Sequence, residues 1–268
     1  MSTIAFACRK TILSIMENRE LVWEVAVRDL RGQSRGAILG FAWAILSPLV
    51  QVIAYVAIVS FVFRAKLGET FGPFDYAVYV LSGMIPWQIL TQSIQQAPTL
   101  IRNNTELVKQ VIYPIQTLPL TSLITSSFGS VVSLVVFLLL SIFSGSFRVT
   151  FLLFPIPLLF LVFFVLGLSW IFAIVGIVVK DLREMVSVIM GVLVYFSPVV
   201  ASEAITGPRA WRIINLNPLS HAVICFRDVF HATFHFQSWV VFVLASLGLL
   251  MIGTLVITKT RLLINEYI

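Results

Sequence analysis

Val149-Thr150-Phe151-Leu152-Leu153-Phe154-Pro155-Ile156-Pro157-Leu158-Leu159-Phe160 opens a stretch that runs to Val179 without one Lys, Arg, Asp or Glu, and its reading decides the fold. An α-helix rises about 1.5 Å per residue and a bilayer's hydrocarbon core is roughly 30 Å thick, so about 20 apolar residues cross it. This stretch, held between Arg148 and Lys180, is longer than that. Charge is absent in the same way between Arg35 and Arg64, Asp75 and Arg102, Lys109 and Arg148, Glu184 and Glu203, and Asp228 and Lys259. Even the shortest, Met185 to Ser202, has 18 residues. Lipid offers bare backbone no hydrogen bonds, so each stretch is expected to be helical.

The 268-residue chain is 59% hydrophobic and 11% charged, with a mean hydropathy of +1.01, which excludes a soluble domain of ordinary composition. The expected fold is an all-α integral membrane protein of six transmembrane helices, near 36–62, 76–97, 117–143, 154–179, 185–202 and 237–258. Residues 1–35 are expected to form a cytoplasmic amphipathic interfacial helix and 36–268 a single membrane domain. The connectors leave no separate catalytic domain of about 100 residues.

A net charge of +6 raises the question of nucleic acid, but the basic residues sit at the membrane edges. Alternating connectors put twelve of them on the amino-terminal side and six on the other. The excess places both termini in the cytoplasm, with no nucleic-acid partner. Arg209, Arg212 and Arg227 then fall on the outer side, in a connector that need not obey a loop count if it folds back onto the membrane.

Met1 to Arg35 has scattered acidic residues and no short apolar core followed by a cleavage site, so it is no signal peptide. Glu17, Glu20, Glu24, Arg28 and Arg31 recur at helical spacing on one face, with Glu24 and Arg28 as an i,i+4 pair. Ile12, Ile15, Val22, Ala26 and Leu30 lie opposite, as in a helix on the membrane surface. Arg19 and Asp29 break the apolar side, which equally fits a helix packed against protein.

Catalytic equipment is missing. Ion-coupled transporters and membrane-embedded enzymes place ionisable groups within the bilayer, and the six span interiors carry none. There is no G-x-x-x-x-G-K-[ST] phosphate loop, so the chain is not itself an ATPase, and no cofactor is expected in it. His231 and His235 lie one helical turn apart without a thiol or acidic partner at metal-site spacing, so no metal is expected. Cys8 and Cys225 fall on opposite faces of the membrane and are not expected to pair.

Two local features remain. Gly83 and Pro86 sit within the second span, the first permitting close helix approach and the second removing a backbone donor, which fits a packing kink and a hinge that moves during transport equally; Ser197-Pro198 at the end of the fifth reads the same way. In the connector 97–120, Asn104 is placed to cap a short amphipathic helix that Pro114 ends, an element suited to docking in a partner's groove.

Taken in order, Arg28-Asp29-Leu30-Arg31, Arg35-Gly36 through Trp43 with Pro48, Gly83-Met84-Ile85-Pro86-Trp87, Asn104 through Lys109 with Tyr113-Pro114, Lys180-Asp181-Leu182-Arg183, Ser197-Pro198-Val199 and Asn217-Pro218-Leu219 followed by Arg227 resemble the permease subunits of ABC type-2 exporters. The subfamily resembled is the one that moves polysaccharides: the O-antigen, capsule and teichoic acid permeases. Gln33-Ser34 departs from it where an aromatic residue is usual. The resemblance implies a multi-pass protein of the bacterial inner membrane that pairs with a second copy of itself and with two copies of an ABC ATPase. ATP and Mg would be held by that partner, and the substrate would be a lipid-linked glycan. It also implies that Asn103, Asn104, Glu106, Leu107, Lys109, Val111 and Tyr113 couple to the ATPase. Residues 203–235 would form re-entrant outer helices, with Pro198, Pro218 and Arg227 at an outer gate.

Sugar rings stack on aromatic faces, and among the chain's aromatic residues Trp43, Tyr55, Tyr79, Trp87, Tyr195 and Phe196 are the candidates for lining a substrate channel. Two other functions fit the same sequence: an ABC type-2 exporter of a teichoic acid, lipid or drug, and a membrane assembly component that transports nothing.

Overall fold

The computed structural model describes residues 13–32, 39–40, 42–67, 75–106, 114–199 and 203–267. Among these residues there is no β-strand. Helix α1 spans Arg19–Gly32, α2 Ala42–Leu67 and α3 Asp75–Gln96. A 3₁₀ turn, Ala97–Thr99, leads into the short α4, Leu100–Asn103, and another, Ile115–Thr117, into α5, Leu118–Phe143. The turn Val149–Leu153 precedes α6, Pro155–Val178; then follow α7 (Leu182–Leu193), α8 (Glu203–Ile214), α9 (Pro218–His231) and α10 (Phe236–Tyr267).

Local chemistry sets many of these ends. Pro155 and Pro218 open α6 and α9, where a missing N–H costs nothing. Asn217 caps α9 by accepting from the Leu219 amide at 3.0 Å. Beyond α5, Gly145 takes the left-handed conformation at φ 67°, which lets the Ser146 amide turn back onto the Ser141 carbonyl at 2.9 Å.

Among the described residues three stretches are long and apolar enough to cross a membrane: Ile115–Phe143, Val149–Val178 and Phe236–Thr260. Helix α3 is less apolar because it carries four glutamines, yet from Ala77 to Leu90 it is almost wholly buried. It is the axis of the molecule, packed on α2, α5, α6, α7 and α9. Polar groups join it to α5 at successive turns: Ser133 donates to Gln88 at 2.8 Å, Ser93 meets Ser126 at 2.6 Å, and Ser122 donates to Gln96 at 3.1 Å. Such bonds hold helices together where lipid removes the hydrophobic drive.

Small residues set the other main contact. At the α6–α10 crossing, a methyl group on Gly253 would lie 2.7 Å from the Gly167 Cα, and one on Gly167 would overlap the Leu249 carbonyl. Gly176 likewise admits the Pro98 backbone, whose carbonyl oxygen such a methyl would overlap. These approaches require glycine because no side chain fits between the two backbones.

The fifth expected span is not one continuous helix. Helix α7 has 12 residues, which at about 1.5 Å each gives roughly 18 Å, short of a bilayer. The chain turns from Val194 to Val199, since Pro198 disfavours helix at Ser197. Absence of charge in 185–202 thus marks an apolar setting, not a continuous helix. The amino-terminal region docks on protein: Val22 and Ala26 of α1 are buried against α5, and Gln116 donates to Ser14 at 2.7 Å. Arg28 pairs with its neighbour Asp29 at 2.8 Å instead of with Glu24.

Candidate functional site

The 203–235 segment is held against α3 by a buried arginine. Arg227 of α9 is only 7% exposed. Its Nη1 donates to the Tyr79 hydroxyl at 2.8 Å and its Nη2 to the Val199 carbonyl at 2.9 Å, with the guanidinium carbon 3.7 Å from the Tyr79 ring centre. It therefore clasps three segments: α3, the turn after α7, and α9. Gly83 makes the space, since a methyl there would sit 3.0 Å from Arg227 Nη2 and 3.2 Å from Val199 Cα. Small size at Gly83 thus serves packing, as the sequence predicted.

Asp228, also buried, closes the α9–α10 corner. Its carboxylate accepts from Thr233 Oγ1 and the His235 amide at 2.8 Å each, from His235 Nδ1 at 2.6 Å and from Trp239 Nε1 at 3.0 Å. Ala232 at the corner is left-handed, φ 57°, and its amide bonds the Asp228 carbonyl. His221 bridges the Asn215 carbonyl, at 2.9 Å, to Ser238, at 3.1 Å. The two histidines weighed for a metal part company: His231 meets Ser82 at 3.3 Å while His235 holds Asp228. Among the described residues no group of three metal-ligating side chains forms.

A second region lies at the opposite end of α3. A recess of about 680 Å³ opens between α1, α3, α4, α5 and α7, lined by Arg28, Asp29, Asn103, Asn104 and Arg183. A cleft of about 410 Å³ lies between α2, α3 and α5, with Trp43, Gln51, Gln92 and Ser126 on its walls. Gln96 and Thr125 line both cavities.

The expected site residues divide between these regions. Trp43 lines the cleft; Tyr79 and the Pro198–Val199 turn meet Arg227, with Pro218 opening the same helix. Trp87 is 7% exposed within the core, whereas Tyr195 and Phe196 are exposed beyond the end of α7. Arg227 is held by protein groups, and Arg209 and Arg212 are exposed on α8. Asn103 ends α4, and Asn104 caps its carboxyl end: the Asn104 amide nitrogen donates to Leu100 at 2.9 Å and its Oδ1 lies 3.4 Å from Arg28 Nη2. Helix resumes at Thr105 and Glu106, and the rest of the expected helix up to Pro114 lies outside the described residues. Glu106 lies in the helical turn after it; Leu107, Lys109, Val111 and Tyr113, the 35–38 segment and the side chain of Tyr55 lie outside the described residues. Sequence reading missed Gln51, Gln92, Gln96 and Asp228. The signal was present: Gln88, Gln92 and Gln96 recur every fourth residue within a charge-free stretch, and so share one helix face.

Comparison with known proteins matches residues 20–231 to the model of the ABC-2 type transporter family. An O-antigen export system permease protein, RfbA, of Myxococcus xanthus is 24% identical over 225 residues, 83% of this chain and 84% of that protein. One from Klebsiella pneumoniae is 23% identical over 246 residues, 90% and 92% of the two chains. The polysialic acid transport protein KpsM of Escherichia coli is 22% identical over 204 residues, 75% and 78%.

Proposed function

This chain belongs to the ABC-2 type transporter family, and on that premise we propose that it is the permease subunit of an ATP-driven exporter of polysaccharide. The observation that carries the proposal is the match, over most of both chains, to permeases named for O-antigen export and polysialic acid transport. The two cavities on α3 agree with it: a hydroxyl-rich substrate needs neutral hydrogen-bonding groups, and the cleft supplies them within the apolar part of the molecule.

In this reading the cargo is a lipid-linked glycan crossing the bacterial inner membrane. Two copies of the chain enclose the conduit and two copies of an ABC ATPase drive it, since the chain has no phosphate loop of its own. ATP and Mg belong to that partner. The six charge-free segments cross the membrane with both termini cytoplasmic, the fifth as the short α7 and its following turns. Helices α8 and α9 re-enter from the outer side, where the Arg227 clasp holds the gate. Residues 103–113 receive the ATPase's motion, and the recess behind Asn103 and Asn104 connects that element to α1 and α3.

The test is genetic and then biochemical. Loss of the gene is expected to strip the surface polysaccharide and leave its lipid-linked precursor inside the cell, and the purified permease with its ATPase is expected to restore export in vesicles. A surface polysaccharide unchanged by deletion refutes the proposal.

A further inference from the structure

We propose that the cleft between α2, α3 and α5 is a sugar-binding site built within one protomer, taking the uncharged, hydroxyl-rich part of the cargo. The proposal deepens the reading above and rests on it. At about 410 Å³ the cleft is within the size range of small-molecule sites, and among the described residues no charged side chain lines it. Gln51 of α2 and Gln92 and Gln96 of α3 all line it, with the hydroxyls of Ser47 and Thr125. An amide offers both donors and acceptors, which is what a sugar hydroxyl requires, whereas an ionic group would find no counter-charge here.

The glutamines are not all alike. Gln88 and Gln96 accept hydrogen bonds from α5 serines and so serve to join helices. Among the described residues Gln51 and Gln92 have no such partner. Gln51 and Ser47 are exposed on an apolar helix, a placement lipid penalises and a hydrated cleft rewards. Pro48 has no N–H to give the Ala44 carbonyl, and both residues line the cleft, so an acceptor is freed where the ligand would lie. Trp43, 47% exposed, offers a ring at the edge. Gly129 leaves the floor open: a methyl there would meet Pro48 Cβ at 3.6 Å and Gln92 Nε2 at 3.8 Å, ordinary contacts that tolerate alanine and leave a larger side chain only the cleft to fill. Gln96 and Thr125 join the cleft to the recess bearing Arg28 and Arg183, the route by which the ligand enters.

The test uses the full permease with its ATPase in lipid nanodiscs and three probes: the cell's own polyprenyl-linked polysaccharide, the free oligosaccharide repeat, and polyprenyl diphosphate alone. Gln51→Leu, Gln92→Leu and Gly129→Leu are each expected to weaken oligosaccharide binding about ten-fold or more, the loss of one or two hydrogen bonds, and to reduce stimulation of ATP turnover by the lipid-linked polysaccharide. Val135→Ala, exposed on α5 and outside the cleft, is the control expected to keep wild-type binding and basal ATP turnover. If Gly129→Leu fails to assemble, Gln51→Leu decides, because its side chain is exposed and supports no packing. Unchanged binding in assembled variants overturns the site, as does competition by polyprenyl diphosphate alone, which would make it a lipid site. Those results leave the exporter intact. A wild-type complex that turns over ATP yet neither binds nor exports the glycan overturns the exporter reading and the site together.

Discussion

Replacing Tyr79 with Phe removes one hydroxyl and nothing else from the Arg227 clasp. In the native protein that hydroxyl accepts from Arg227 at 2.8 Å, and the ring remains 3.7 Å from the guanidinium in the variant. A hydrogen bond to a charged group contributes about 1.5–3 kcal/mol. If α9 opens from α3 as a unit, that loss raises the open population about ten- to hundred-fold, since 1.4 kcal/mol is a factor of ten. Cys225 reports the opening, because it is fully buried on the same helix, two residues before Arg227. With Cys8 changed to Ser, a hydrophilic maleimide applied to membranes is expected to label Cys225 slowly in the wild type and about ten- to hundred-fold faster in Tyr79→Phe, the factor following from that same bond energy. Arg227→Met removes the Val199 bond at 2.9 Å as well and should exceed the single-bond effect. The double variant should label no faster than Arg227→Met alone, since the bond between residues 79 and 227 is already gone. Equal labelling of wild type and Tyr79→Phe, or strictly additive effects, refutes the clasp.

Gly253→Val is expected to destabilise the α6–α10 crossing by more than the about 1–3 kcal/mol typical of overpacking, because the obstruction is backbone; the yield of folded protein after detergent extraction, with Gly248→Ala as the tolerated control, checks it. Asp228→Asn exchanges a four-bond acceptor for a group with one carbonyl oxygen, at about 1.5–3 kcal/mol per charged bond lost, and should lower the melting temperature and shift Trp239 emission to the red. Leu107→Asp with Val111→Asp should leave membrane insertion intact and abolish co-purification of the ATPase; an undiminished complex removes residues 103–113 from the coupling role.

Absence of charge was enough to read the solvent. A lipid environment follows from composition, because no packing arrangement hides runs such as Val149–Val178 in a chain of this size. Helix followed from lipid, and small residues such as Gly83 announced close approach. Orientation of one helix against another did not follow. A helix hydrophobic all round has no preferred face in sequence, so Trp87 and Trp43 were equal candidates until packing buried one and left the other at the cleft. The break at Val194 lay in a stretch as free of charge as the others, where Pro198 alone marked it. Arg227 shows the limit most clearly: the resemblance implied a place at an outer gate but no partners, and only the fold brings Tyr79 and the Val199 carbonyl, distant in sequence, to the positions that satisfy it. Hydropathy is a property of the chain and local in sequence, whereas a clasp or a cleft is a coincidence of segments that tertiary packing creates.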